Sequence, residues 1–360
     1  MRGLAFALIL CSAAFSQAQA QTVRNWIDVH VHLVAGRGPQ ADFGAAISAA
    51  LAAMDESGVR TSVIMPPPQI KGMPVYDWRD YTAFLARYPG RFAFLGGGGT
   101  LNVMLHDPAN AQVDAAQRAT FESIANEILA AGAAGFGEIA AHHLSMMQNH
   151  PYEWVAPDHP LLLLLADIAA RGDAVIDLHL DLVMRDSPPP ARFRATNPDT
   201  LRENFAAFER LLAHNRRAKI VWAHAGSHPL PGLVPGLARD LLARHPNLYM
   251  SLRLPARMPL NPQGGGPFKA LPHLIVSPGG EIDPDWLRVL AEFHDRFVIG
   301  SDQFMANPQL SAYGPGLEFA RFNAHARGLI RRFLDQLPAD LARRISMENP
   351  GRLYRIGAAQ

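Results

Sequence analysis

Eight short apolar runs recur along this chain, and segments of helical character separate them. The runs are WIDVHVHL (26–33), TSVIMP (61–66), FAFLGGG (92–98), AGFGEIA (134–140), AVIDLHL (174–180), KIVWAHAG (219–226), LYMSLRL (248–254) and FVIGSD (297–302). Between them, stretches such as ADFGAAISAALAAMDESG and PDTLRENFAAFERLLAHNRR repeat their apolar residues at three and four, the period of an amphipathic helix. Gly58, Pro89-Gly90, Gly132 and Pro246-Asn247 break the pattern just before a strand, as short αβ connections do. Strands that are apolar on both faces and alternate with helices belong to a parallel sheet covered on both sides. Eight such units closing on themselves make a (β/α)8 barrel. An open doubly wound sheet is the alternative, but no G-x-G-x-x-G turn follows the first strand. The expectation is therefore an α/β fold, a (β/α)8 TIM barrel. Residues 314–356 supply its eighth helix and an extra C-terminal helix.

The connections after strands are longer than those before them. Three stand out, at 141–159, 181–198 and 255–281. In a barrel these loops lie on the C-terminal face, where active sites are built.

The first twenty residues stand apart. MRGLAFALILCSAAFSQAQA carries one positive charge, an apolar run from Leu4 to Leu10, and an Ala18-Gln19-Ala20 end. That is the pattern of a cleaved secretory signal, too short in its apolar run to span a bilayer. A mature chain of roughly 340 residues, a single barrel domain over 21–360, is expected outside the cytoplasm, secreted or periplasmic. Cys11 is the only cysteine and lies inside the signal, with Leu10 where a lipoprotein signal wants a small residue. Disulfides and thiolate chemistry are thereby excluded from the mature protein, and any metal site must use His, Asp and Glu. The chain has 33 Lys and Arg against 32 Asp and Glu, and loss of Arg2 leaves it formally neutral. Nucleic acid and anionic membranes are poor partners for such a chain, and a small-molecule substrate is expected. A homo-oligomer is compatible with all of these features.

The polar residues inside the strands carry the chemistry. Side chains two apart on a strand share a face, so Asp28, His30 and His32 are expected to point the same way. Alone, this pattern leaves two readings open: hydrogen-bonded core histidines, or half of a metal site. Four other strands also embed a polar residue near their carboxyl ends: Glu138, His179 (with Asp177 and Asp181 on the same face), His224 and Asp302. Buried charges are costly unless they are paired or bind a metal. Imidazole and carboxylate together suit a divalent ion such as Zn, with Mn, Fe or Ni as alternatives, better than the all-oxygen shells of Mg or Ca.

In its DVHVH, in His179 at the end of the fifth strand, and in the His-Ala-Gly, GSD and ENPGRLY that follow in order, the chain resembles the amidohydrolase superfamily. The branch is the amidohydrolase-related one that also contains aminocarboxymuconate-semialdehyde decarboxylase. The resemblance implies a metal-dependent barrel enzyme. It implies His30, His32 and His179 as ligands, Asp302 as ligand and proton acceptor, and His224 as second-metal ligand or catalytic histidine. Glu138 departs from the decarboxylase-like members, whose fourth strand supplies no ligand. In the binuclear hydrolases of the superfamily that strand supplies a bridging Glu or carboxylated Lys. Glu138 therefore points to two ions and hydrolysis, with a one-metal site still open.

The function expected is metal-dependent hydrolysis of a small ester, lactone or amide through an activated water, with Asp302 taking its proton. The alternative is a metal-dependent decarboxylase of a small unsaturated or aromatic acid. A barrel that only binds ligand would have no need for the full donor set. Asp28 and Asp177 are candidates for orienting the ligand histidines, or for ordinary barrel-end hydrogen bonds. Arg253 is a candidate for meeting a substrate carboxylate, with a surface salt bridge as the alternative. His142, with His143, follows the fourth strand at the mouth and reads as a loop residue or a substrate contact.

Overall fold

The computed structural model describes residues 25–36, 41–73, 75–108, 112–146, 150–254, 273–277, 280–307, 309 and 316–357. The stretch read as a signal and most of the 255–281 loop lie outside them.

Strand β1, Trp26–Val34, is buried along its whole length. It is followed by β2 (Val59–Ile64), β3 (Phe92–Gly97), β4 (Gly135–His143), β5 (Val175–Leu180), β6 (Lys219–Ala225), β7 (Leu248–Leu252) and β8 (Phe297–Ile299). Each pairs in parallel with the next. A further strand, β9 (Gln303–Ala306), pairs in parallel with β1. Strands β8 and β9 are one stretch of chain interrupted at Gly300–Asp302. There the Gly300 N–H donates to the Leu252 carbonyl at 3.1 Å and the Asp302 N–H to the His30 carbonyl at 3.0 Å. The sheet thus begins and ends on the same few residues, as a barrel of eight units requires.

Helices α1 (Phe43–Ser57), α2 (Trp78–Leu85), α3 (Leu101–Leu105), α4 (Ala115–Ala130), α5 (Pro160–Arg171), α6 (Phe205–His214), α7 (Pro235–Arg244), α8 (Pro284–Glu292) and α9 (Gly316–Gln336) follow the strands. Two short helices, α10 (Ala339–Arg343) and α11 (Asn349–Leu353), complete the C-terminal extension. The boundary of α1 shows how the sequence sets the joints. The Asp42 carboxylate accepts from Ala45 N–H, and Gly58 closes the helix at φ +71° with its N–H on the Met54 carbonyl. That left-handed conformation is cheap for glycine alone, and β2 begins at the next residue.

Two apolar layers result. Ile176, Leu178 and Leu180 of β5 face the helices, whereas Val175 joins Ile27, Val63, Val221 and Val298 inside the barrel. Leu353 and Tyr354 belong to that inner cluster, so the C-terminal extension plugs the amino end of the barrel. The carboxyl end is left to the polar side chains. Among the described residues, no helix is long and apolar enough to cross a membrane.

Three local expectations change. The eighth strand stops at Ile299, and Ser301 and Asp302 lie in the break. The fourth strand runs on to His143, so His142 and His143 are strand residues rather than loop residues. Strand β1 does not alternate simply. Its register with β2 shifts between Asp28 and Val31, which puts Ile27 and Val29 in the inner cluster but Val31 and Leu33 in the outer one. Asp28 is thereby parted from the two histidines.

Candidate metal centre

Six side chains from four strands and the β8–β9 link meet at the carboxyl end of the barrel. On β1, His30 Nε2 and His32 Nε2 lie 3.1 Å apart. Glu138 from β4 divides its carboxylate between two histidine pairs. Its Oε2 stands 3.4 Å from His30 Nε2 and 3.3 Å from His32 Nε2. Its Oε1 stands 2.7 Å from His179 Nδ1 on β5 and 3.7 Å from His224 Nε2 on β6. Asp302 divides likewise, with Oδ1 at 3.3 Å from His32 Nε2 and Oδ2 at 3.5 Å from His224 Nε2.

The outer nitrogens fix how the rings face. His32 Nδ1 is 3.0 Å from the Met65 carbonyl, which only accepts, so Nδ1 carries the hydrogen and Nε2 presents a lone pair in the neutral ring. His30 Nδ1 is 3.2 Å from Asp177 Oδ1, in an ion-pair contact not aligned as a hydrogen bond. A carboxylate there favours the same tautomer. His179 turns its other nitrogen, Nε2, toward Asp181 Oδ2 at 3.6 Å.

Burial opposes every charge in this cluster, and at all of its members but His224 the partners override it. Glu138 is pushed upward by burial but held well below the usual carboxylate range by His30 and by bonds with His179 and His224. His30 is depressed by burial but raised well above its ordinary value by Asp177 and Glu138. His179 is raised to about 10 against the same burial by Asp181 and Glu138. Asp302, also opposed by burial, is held well below its ordinary value by His224 and Arg253. His224 goes the other way: burial, with Arg253 nearby, lowers it to about 3 although Asp302 pulls it up, leaving a neutral ring.

A family model described as amidohydrolase matches residues 27–356. The chain belongs to the amidohydrolase family. Members use divalent metals and act on small molecules, and this amidohydrolase is an enzyme of the metal-dependent hydrolase kind. Its fold is similar to that of the phosphotriesterase from Mycobacterium tuberculosis, at 15% identity over 92% of this chain and 94% of that one, with a TM-score of 0.48. It is also similar to a D-hydantoinase (12%, 91% and 70%, 0.49). A third is the beta-aspartyl dipeptidase from Fervidobacterium islandicum AW-1 (14%, 92% and 74%, 0.44). No match was found among curated proteins.

The donor set of this amidohydrolase suits a divalent ion. His30, Glu138 and His224, and likewise His30, His32 and Asp302, each offer ligand atoms within 4.8 Å of one another. Two Nε2 lone pairs at 3.1 Å repel unless a proton or a cation lies between them, and the buried Glu138 and partly buried Asp302 carboxylates face them. Both features call for positive charge at the centre.

Of the remaining sequence candidates, Arg253 reaches the centre. Its Nη1 pairs with Asp302 Oδ2 and its Nε donates to Ser227 Oγ at 2.7 Å. This is a largely buried ion pair rather than a surface one. His142 does not join the six. It is buried, with Nδ1 2.5 Å from the Asp181 carbonyl and its ring 5.5 Å from that of Tyr152. Asp177 braces His30, whereas Asp28 binds Ser301, accepting from its N–H at 2.9 Å and its hydroxyl at 2.5 Å. Two braces escaped the sequence reading. Asp181 had a visible signal, two residues beyond His179 on the same face, but its contact with the ring nitrogen did not follow from parity. The Met65 carbonyl is backbone and leaves no trace in residue identity.

Proposed function

We propose that this amidohydrolase hydrolyses a small ester, lactone or amide with two divalent ions, which Glu138 and five further side chains would hold. The ligands on one side are His30, His32 and Asp302, and on the other His179 and His224. The observation that carries this reading is the division of Glu138, whose Oε2 faces one histidine pair and whose Oε1 faces the other. Four histidines, two carboxylates and no thiolate favour zinc, with manganese, iron or nickel as alternatives. Bound ions would supply Lewis acidity, making a water acidic enough to attack near neutral pH and polarising the carbonyl it attacks.

The chain's own residues do the rest. Asp302 is kept ionised beside the Arg253 guanidinium, so it is ready to accept a proton from the attacking water and return it to the leaving group. Its backbone N–H on the His30 carbonyl holds that carboxylate against β1. Neutral His224 presents Nε2 between Glu138 and Asp302. Asp177 and Asp181 keep His30 and His179 turned toward the centre. The enzyme acts outside the cytoplasm, a reading supported by the signal-like residues 1–20.

The test is a panel of esters, lactones, amides and small aromatic or unsaturated acids, assayed on enzyme loaded with zinc and on enzyme treated with chelator. Hydrolysis that chelation abolishes and zinc restores is expected. Release of carbon dioxide from an acid, with no ester, lactone or amide turned over, would replace the hydrolase by a decarboxylase.

A further inference from the structure

A cavity of about 760 Å³ opens at the same end of the barrel as the metal centre, walled by the segments that follow β2, β3, β4 and β5. None of the six metal-centre side chains lines it. Its polar lining is Lys71, His106, Tyr152, Trp154, Asp186 and Arg202. The wall is tied to the strand that carries Glu138. His106 Nε2 donates to the Ala140 carbonyl at 2.8 Å, and Trp154 pairs with His142 across an antiparallel two-residue strand, Glu153–Trp154.

Apart from Arg202, the charged side chains around this cavity have hydrogen-bond partners. Lys71 Nζ donates to Asp107 Oδ2 at 3.1 Å, and Asp186 Oδ1 accepts from the Glu203 N–H at 2.7 Å. His106 is lowered to about 4 by burial and is neutral. Arg202 is different. Its guanidinium lies over the Trp154 ring, 5.1 Å from the centroid, and among the described residues no carboxylate pairs with it. The Trp154 indole N–H is buried without a hydrogen-bond partner. Tyr152, raised to about 12 by burial, keeps its hydroxyl proton, and that hydroxyl has no partner among the described residues. One fixed positive charge and two further donors therefore border an aromatic surface without an acceptor to match them. The Trp154 N–H is the buried one of these donors and is costly left unpaired, and a guanidinium stacked on an aromatic ring is preorganised for two-point contact with a planar anion.

We propose that this cavity binds a small planar carboxylate, with Arg202 as its anionic anchor and Tyr152 and Trp154 as its aromatic wall, and that this carboxylate is the non-reacting end of the substrate. Calling the ligand the substrate rests on the hydrolase reading, whereas the carboxylate site does not. The substrate is then an aromatic or otherwise flat acid that also carries the ester, lactone or amide to be cleaved.

The experiment measures binding of benzoate and of its neutral isostere benzamide to the metal-loaded enzyme by calorimetry and tryptophan fluorescence. No turnover is needed, so failure of the hydrolase reading leaves this measurement intact. Benzoate is expected to bind at least about tenfold tighter than benzamide, Arg202→Gln to remove that preference, and Trp154→Phe to abolish the fluorescence response. Arg202 is exposed and its replacement leaves the core untouched. Equal binding of benzoate and benzamide, benzoate binding unchanged in Arg202→Gln, or no benzoate binding at millimolar concentration would each overturn the proposal.

Discussion

Asp302 adopts φ +53°, a left-handed conformation that Asp and Asn tolerate better than most residues. From there it reaches His32, His224 and Arg253 at once. That it would matter was readable in the sequence, because a carboxylate at the end of an apolar run needs a partner. The same argument singled out His30, His32, Glu138, His179 and His224, and the structure brings them together with Asp302. For Asp28 two readings stayed open, and the register shift in β1, invisible to strict alternation, leaves Asp28 hydrogen-bonded to Ser301 rather than bracing a histidine. Glu153 escaped the sequence reading. This residue is buried beside Asn102, whose Nδ2 donates to it at 2.8 Å, and burial raises its acidity range to about 7. Below about pH 4.5 the folded and unfolded chains both hold its proton. Between there and pH 7 only the folded chain keeps it, so stability falls as pH rises, and above pH 7 the full cost, about 3 kcal/mol, is in place. Glu153→Gln keeps the acceptor for Asn102 and removes the charge. Its unfolding midpoint should match wild type at pH 4.5 and exceed it at pH 8; an equal difference at both pH values would refute the assignment.

The element that most repays attention is the eighth strand. Read as one run, FVIGSD looks continuous, and the structure breaks it at Gly300 so that one stretch can pair with both β7 and β1. The residue at the break has no room for a side chain. A Cβ on Gly300 would stand 2.2 Å from Ser251 Oγ and 2.9 Å from His30 Cβ. Overpacking of this kind costs about 1–3 kcal/mol, and here it would press on His30. Gly300→Ala should lower the denaturant midpoint, and adding Ser251→Ala should recover part of the loss, since the hydroxyl is the nearest obstacle. A Gly300→Ala chain as stable as wild type would show that the strand break relaxes freely. The length of β4 was equally hidden. His142 and His143 looked like loop residues because polar residues usually end a strand, yet the antiparallel Glu153–Trp154 pairing extends it.

At the scale of the whole molecule, the alternation of eight apolar runs with helices was enough to foresee the barrel, since that pattern has few other solutions. The plug at its amino end was not foreseeable. Leu353 and Tyr354 look like ordinary residues of a terminal helix, and only the closed sheet gives them an interior to fill. With the floor sealed by apolar side chains, the polar side chains of the strands are gathered at the opposite mouth, where the cavity lined by Arg202 and Trp154 also opens. The proposed chemistry turns on the number of ions held at that mouth, because a carboxylate with one oxygen toward each histidine pair is placed to serve two of them. The direct measurement is metal content per chain, by elemental analysis of protein purified without chelator, for wild type and Glu138→Ala. Two divalent ions in wild type and at most one in Glu138→Ala are predicted. A single ion in wild type, retained in full by Glu138→Ala, would contradict the bridged centre.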